Sequence, residues 1–320
     1  MTTQVQSRFL DLRALASLER MRFTTRHRIE GSYSGYHTSR QHGGAGIFAD
    51  YREYSGSEDL RRLDWKVLGR TGKAFVRIYE EETNLLCTLA LDASGSMDFR
   101  GIARRDPQAD PLRRPASRVP RPAPGSKLEY AQYLSSALAH VITRGQDQVG
   151  LALLDRQLRS MLPPGATLTH LNQLYASIEE LAARPTTTMA PGLRELFERC
   201  RRRGVLLLIS DFLMDDLEEV FGVLRLFRHR GWEVIILHLV HPEEERLPEA
   251  AAFRFEGMEA DGRVDCSPAE IRATYRDRFA AHLGMVRQLA LAGACDYRRV
   301  STAIPYLQTL GGFLVERAGS

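Results

Sequence analysis

Leu85–Met97 reads LLCTLALDASGSM, an apolar run with Thr88 as its one clearly polar interruption, ending on Asp92 and followed at two-residue spacing by Ser94 and Ser96. A run of this length and composition is expected of a central strand of a parallel sheet, covered on both faces. The three oxygens then lie at the strand's carboxyl end, where loops leaving open α/β sheets form ligand crevices. One carboxylate with two small hydroxyls is a hard-oxygen set, suited to a magnesium-like ion rather than zinc or copper. The competing reading is a helix-capping turn in which Ser94 or Ser96 accepts a backbone N–H.

Working outward, the pattern alternates. Upstream, Phe9 to Met21 carries Leu12, Leu15 and Leu18 at helical spacing, Gly31 to Gly46 reads as a loop, and Ile47 to Tyr54 and Ala74 to Tyr79 read as short strands. Downstream, a helix starts at Lys127 with Leu128, Leu134, Leu138, Val141 and Ile142 on one face. Val149 to Leu154 reads as a strand, with Gln157 to Leu162 as its hairpin partner. Helical faces follow at Leu171–Leu181 and Leu193–Cys200, then a strand at Val205–Ser210, a helix at Asp215–His229 and a strand at Trp232–Val240. Phe253–Glu256 and Arg263–Cys266 suggest a hairpin around Asp261-Gly262. Ser267, Pro268 and Glu270 open a long helix, and Asp296–Val300 and Ile304–Glu316 close the chain as strand and helix. This alternation predicts an α/β fold: a doubly wound, mostly parallel sheet with helices on both faces, preceded by an N-terminal extension with short strands. The expected division is an extension over residues 1–83 and the sheet domain over 84–320. Within the latter, Arg100–Ser126 holds six prolines and seven arginines against two aspartates and reads as a flexible loop.

Bulk composition narrows the function classes. With 320 residues, 43% hydrophobic and 26% charged, the chain is that of an ordinary globular protein. No apolar run has the length of a membrane span, and the N-terminus lacks a signal-peptide core, so a cytoplasmic location is expected. A net charge of +4 is no nucleic-acid footprint. Basic residues are nearly all arginine, with Lys66, Lys73 and Lys127 the only lysines. Cys87, Cys200, Cys266 and Cys295 form no Cys-x-x-Cys pair and are expected to be reduced and buried. Several apparent motifs dissolve on inspection. GRTGKA over residues 69–74 lacks the first glycine and the Ser/Thr of a phosphate loop, and Gly44, Gly46 and Ala49 follow no apolar strand. His238 and His241 have a spacing that points them to opposite sides of a strand. No nucleophile elbow is present.

Two other segments supply oxygens at element ends. VLLLISDF places Asp211 at the tip of a second buried strand, and RPTTTMAPGL over residues 184–193 is a hydroxyl-rich loop leading into a helix. Asp211 has the alternative role of helix N-cap, for which Asp215 or Asp216 is better placed. Arg61, Arg62, Asp64 and Trp65 form another cluster, read as an ion-pair and packing anchor, with an interaction surface as the other reading.

Taken together, Asp92, Ser94, Ser96, a loop threonine and Asp211 resemble the metal-ion-dependent adhesion site of von Willebrand factor A domains. REYSGSEDLRRLDWKVLGRTGKAFVRIYEEE upstream is similar to the signature of the bacterial family called domain of unknown function 58, as are KLEYAQYLSSALAHV, QDQVGL, LISDF and YLQTLGGFLVER. The resemblance covers roughly Ile47 to Arg317. It implies a von Willebrand A-like, Rossmann-type domain in which Ser94 and Ser96 ligate a Mg²⁺ (or Mn²⁺ or Ca²⁺) directly and Asp92 and Asp211 act partly through water. Thr187 is the implied threonine, standing before Leu193 as in a Gly-Gly-Thr-Asp-Leu-x-x-x-Leu pattern. Thr186 replaces a glycine of that pattern and Thr188 its aspartate, so both are possible substitutes; upstream, Ser57 and Glu58 replace a glycine and an aspartate. Neutral hydroxyls around a divalent ion leave its charge uncancelled, so its open position favours a partner's acidic side chain. The resemblance therefore implies a non-enzymatic interaction module with a MoxR-type AAA+ ATPase as partner, in a chaperone-like role. The alternatives are a metal-dependent phosphoryl hydrolase at the same edge and nucleic-acid binding through the arginine-rich loop.

Overall fold

The computed structural model describes residues 7–25, 47–54, 63–80, 85–101, 125–247, 253–259, 262–266 and 268–319. The contacts divide the chain into two compact units, Met1–Ile29 with Leu85–Ser320, and Glu30–Asn84. The first helix, α1 (Leu12–Leu15), is a single turn capped by Asp11 and continued as a 3₁₀ turn, Ala16–Leu18, rather than one helix running from Phe9 to Met21. Phe9, Leu15, Leu18 and Phe23 are buried in the core of the larger unit. The sequence grouped these residues with the extension, because a few leucines at helical spacing say that a face is buried but not against what.

In the smaller unit, β1 (Ile47–Glu53) pairs antiparallel with β2 (Phe75–Glu80) across a bulge, and α2 (Trp65–Thr71) lies between them in sequence. Asp64 starts α2: its carboxylate accepts the N–H groups of Lys66 and Val67 at 3.0 and 3.2 Å. Gly72, at φ 72°, ends it in the left-handed conformation. The phosphate-loop mimic GRTGKA is therefore a helix end. Trp65 is 62% exposed rather than packed, while Arg61 and Arg62 lie outside the described residues.

The larger unit continues with β3 (Leu86–Asp92), α3 (Lys127–Arg144), β4 (Gln148–Leu154), β5 (Leu158–Gly165), α4 (Leu168–Glu179), α5 (Ala190–Arg199), β6 (Val205–Ser210), α6 (Leu217–His229), β7 (Glu233–Val240) and α7 (Pro242–Glu245). It ends with β8 (Phe253–Glu256), β9 (Arg263–Cys266), α8 (Pro268–Ala292), β10 (Asp296–Ser301) and α9 (Tyr306–Ala318). Six strands form one sheet in the order β10-β7-β6-β3-β4-β5; every neighbouring pair is parallel except β4 with β5. Among the described residues, strands β8 and β9 pair only with each other, as a separate two-stranded ribbon.

Alternation along the strands sends side chains to two apolar cores. Cys87, Leu89 and Leu91 join one with α3, α4 and α9; Ala90 joins the other with α5, α6 and residues Val286 and Ala290 of α8. Every residue of β3, β6 and β7 is buried, which is why these segments read as continuous apolar runs. Helix α6 buries Leu217, Val220, Phe221, Leu224 and Phe227, a single stripe at helical spacing. Edge strand β5 is only partly buried and carries Pro163 and Pro164. Gly150 of β4 lies against it: a side chain there would meet Leu162 O at 2.8 Å and Pro164 N at 2.9 Å.

The chain places β4 on one side of β3 and later β6 on the other, so the order reverses at β3 and loops leave its carboxyl end in opposite directions. In open α/β sheets ligands bind at such a reversal, and Asp92 ends the strand where it occurs. Among the described residues no helix is long and apolar enough to cross a membrane. Cys87, Cys200 and Cys295 are free and buried. The Arg100–Ser126 loop, apart from its ends, and the Gly31–Gly46 segment fall outside the described residues, as does Ser267 ahead of α8.

Candidate functional site

Asp92 is the last residue of β3, and the parallel register of β3 with β6 brings Ser210 and Asp211 alongside it. The Ser210 hydroxyl donates to Asp92 Oδ2 at 2.5 Å, and the Ser94 amide donates to Asp92 Oδ1 at 2.8 Å. The Ser94 and Ser96 hydroxyls lie 3.2 Å apart. Ser94 precedes a 3₁₀ turn, Gly95–Asp98, but its side chain makes no capping hydrogen bond, so the hydroxyls are not consumed as caps. Asp92, Ser94, Ser96 and Asp211 are all buried.

The hydroxyl-rich loop reaches the same edge. Ser94 forms an isolated parallel bridge with Arg184, whose amide donates to Ala93 O at 2.8 Å. Of the three threonines, Thr186 is linked to the β3 turn, through a carboxylate it shares with Ser96. Thr187 contributes its backbone carbonyl to the Asp215 amide at 2.8 Å, and Thr188 accepts the Thr186 hydroxyl at its own carbonyl at 3.2 Å. Asp216 stands at the start of α6, but its carboxylate accepts the Met189 and Ala190 amides at 2.9 and 2.7 Å and so caps α5 instead. Asp211 caps neither helix. Its Oδ1 accepts the Leu213 amide at 3.1 Å, and its Oδ2 receives Lys127 Nζ at 2.6 Å.

Lys127, Glu244 and Glu259 complete the site and were not singled out from the sequence. The Lys127 side chain is fully buried, donating to both Asp211 and Glu244. Ser126 sets its position by capping α3, its hydroxyl accepting the Glu129 amide at 3.1 Å. Glu244 is aimed by a capping box in which its Oε2 accepts the His241 amide at 2.8 Å while His241 caps α7. Burial alone would lower the Lys127 pKa; the charges of Asp211 and Glu244 outweigh it, so the ammonium is held. Lys127 had a signal, being one of three lysines in an arginine-rich chain.

Among the described residues, Asp211 and Glu244 share the Lys127 ammonium, and Asp92, beside Asp211, has no ion-pair partner. Burial, then the nearby Asp211 charge, pushes the Asp92 carboxyl up to about 7 against the pull of its Ser210 and Ser94 hydrogen bonds. Burial also raises Glu244 despite Lys127. His238 bridges the Tyr297 hydroxyl at 2.9 Å and Asp211 O at 3.0 Å, and burial lowers it to about 4, so it is a neutral structural support. His241 caps a helix, and the two histidines serve different partners.

Glu259, from the turn after β8, reaches into the same place. Its Oε1 accepts the Ser96 amide at 2.7 Å, and its Oε2 accepts the Thr186 amide. Among the described residues, no three His, Cys, Asp or Glu side chains are placed to hold a metal ion by themselves. A cation here would need the carboxylates together with the hydroxyls.

Comparison with known proteins gives a family and distant relatives. The model of a family described as "Protein of unknown function DUF58" matches residues 50–108 and 116–284. Uncharacterized proteins of Mycobacterium bovis and Mycobacterium tuberculosis are each 24% identical over 247 residues, 75% of this chain and 69% of theirs. Among solved structures, the conserved hypothetical protein BatB of Bacteroides thetaiotaomicron is 15% identical, with a TM-score of 0.47 over 74% of this chain and 100% of its own. The pilus adhesin SpaC of Lactobacillus rhamnosus GG is 10% identical, with a TM-score of 0.44 over 74% of this chain and 30% of its own. These two likenesses are too loose to assign a function.

Proposed function

The chain belongs to the family described as protein of unknown function DUF58, and from the chemistry of its sheet edge we propose that it is a protein-interaction module that holds a divalent cation there and offers it to an acidic side chain of a partner. The observation that carries this reading is the gathering of buried oxygens at one sheet edge: among the described residues Asp211 and Glu244 share the Lys127 ammonium while Asp92, beside Asp211, has no ion-pair partner, and the hydroxyls of Ser94 and Ser96 lie next to them. Uncompensated buried charge is costly, and it persists in proteins where something else neutralises it. The donor set is all oxygen, which fits Mg²⁺, Mn²⁺ or Ca²⁺.

Asp92, Ser94, Ser96 and Asp211 would hold the ion, with one of Thr186–Thr188 from the adjoining loop; Thr187 is the choice by resemblance. When bound, the ion supplies a positive charge that neutral hydroxyls leave largely uncancelled, hence an affinity for carboxylate. This reading takes the larger unit as von Willebrand factor A-like, which the reversal of strand order at β3 supports. A MoxR-type AAA+ ATPase is the partner proposed, in a chaperone-like role.

Titration calorimetry with Mg²⁺ or Mn²⁺ tests the reading. The wild type is expected to give a saturable one-site isotherm that Asp92→Ala and Ser96→Ala lose. Indistinguishable isotherms for wild type and Asp92→Ala would overturn it. Capture of a purified MoxR-type ATPase should be abolished by chelator.

A further inference from the structure

The Glu259 carboxylate is held like a ligand. One oxygen takes the amide of Ser96, at 2.7 Å, and the other takes the amide of Thr186. These donors come from two segments distant in sequence, the turn after β3 and the loop before α5, and they converge on one carboxylate. Backbone amides paired in this way recognise a carboxylate by charge and shape, whatever chain it comes from.

The surrounding backbone is shaped to admit the turn carrying Glu259. Gly95 lies between the two serines. A side chain there would collide with Met258 O and come within 3.0 Å of the Glu259 carboxylate. The residue between the two hydroxyls thus has no side chain at the point where this turn presses down.

Among the described residues, strands β8 and β9 pair with each other and with no strand of the six-stranded sheet, and their connection is closed by the Gly257 amide on Gly262 O at 2.8 Å. Lifting the ribbon's tip would break no ladder of the sheet.

Resting on the reading that this edge takes an acidic side chain, we infer that Glu259 is an internal occupant of the carboxylate seat and that a partner's Asp or Glu displaces it. The seat is the amide pair of Ser96 and Thr186, its ligand class is a side-chain carboxylate, and the β8–β9 ribbon keeps it filled until a partner competes. The apparent affinity for a partner is then lowered by the fraction of time Glu259 is seated.

The experiment uses the full chain and a fluorescein-labelled hexaglutamate peptide, read by fluorescence anisotropy with Mg²⁺ and again with chelator. Glu259→Gln removes the competing charge, and Glu259→Ala removes the amide-binding head group altogether and empties the seat. Both variants are expected to bind the peptide about tenfold more tightly than wild type, the gain for a seat self-occupied about nine-tenths of the time. Glu218→Ala, an exposed acid on α6, should match wild type. Thermal melting confirms that each variant is folded. If neither Glu259→Gln nor Glu259→Ala gains affinity, the inference is overturned, and Mg²⁺ calorimetry on the same samples shows separately whether the cation reading stands. A gain that survives chelator supports the amide seat and counts against the cation.

Discussion

The two ends of the six-stranded sheet each bury one basic side chain among acids, and they do so in opposite ways. At the amino ends of β7 and β10, Arg317 donates to Glu233 at 2.6 Å, to Asp296 at 3.0 Å and to Thr24 O at 2.6 Å, with the rings of Phe23 and Phe313 at 5.0 and 5.5 Å. All three guanidinium nitrogens are used, and the group packs against two aromatic rings. At the carboxyl ends, Lys127 is a point charge between Asp211 and Glu244, with Asp92 close enough to Asp211 for the two charges to oppose each other. Each base meets two carboxylates, but the guanidinium fork gives each acceptor its own nitrogen and is a fastening. The ammonium is one point shared by two acids, with the Asp92 carboxyl beside them, and leaves room for a second cation.

The sharpest way to break this comparison is to remove each base. Arg317→Met and Lys127→Met should each lose about 3–5 kcal/mol in urea unfolding, because each leaves buried carboxylates without their cation. They should part company when Mg²⁺ is added. Lys127→Met is expected to regain much of its loss and to show a larger metal-induced rise in Tm than wild type, since the ion no longer competes with an ammonium for Asp211. Arg317→Met should regain nothing; rescue of both variants, or of neither, would erase the distinction.

Proton titration sharpens the same contrast. The Asp92 carboxyl has a folded-state pKa near 7, above the 3.8 of an ordinary aspartate, so the folded state keeps a proton that the unfolded state has released. Its contribution to stability therefore falls as pH rises between those two values, and Asp92→Asn should remove that slope. Mg²⁺ affinity should weaken by up to tenfold per unit as pH drops below about 7, because the ion displaces this proton. His238 has the opposite sign. Its pKa falls to about 4 from an ordinary 6.5, so stability is lost as pH drops from 6.5 towards 4, and His238→Gln should flatten that acid limb in Tm measurements.

The smallest expected effect belongs to the loop that feeds the carboxyl edge. Asp216→Ala removes the acceptor for the Met189 and Ala190 amides and should cost about 1 kcal/mol, as for other helix caps. Tm should fall by a few degrees, while Arg317→Met in the same background adds its full penalty, the two sites being independent.

What could be read in advance follows from what each signal depends on. The strands β3, β6 and β7 announce themselves because burial on both faces demands unbroken apolar runs, and α6 because one buried stripe leaves a period. Asp92 and Asp211 were legible as carboxylates that end such runs. Lys127 was not, because its partners lie 84 and 117 residues away in sequence and nothing local to a helix start reveals them. Glu244 sits in a run of three glutamates whose capping geometry decides which one turns inward. Glu259 lies in a polar turn, the commonest of contexts, and only the folded ribbon brings it to Ser96. The first twenty-five residues illustrate the same limit, since Phe9 and Phe23 declare that they are apolar but not which unit they close.

The double proline on β5 has a consequence for assembly. Pro163 and Pro164 bring no N–H to the outermost strand of the sheet, so a strand from a second molecule docking along that stretch would find missing donors. Growth by strand addition is discouraged along that edge, where encounters with other proteins are turned towards side chains and loops instead of the backbone.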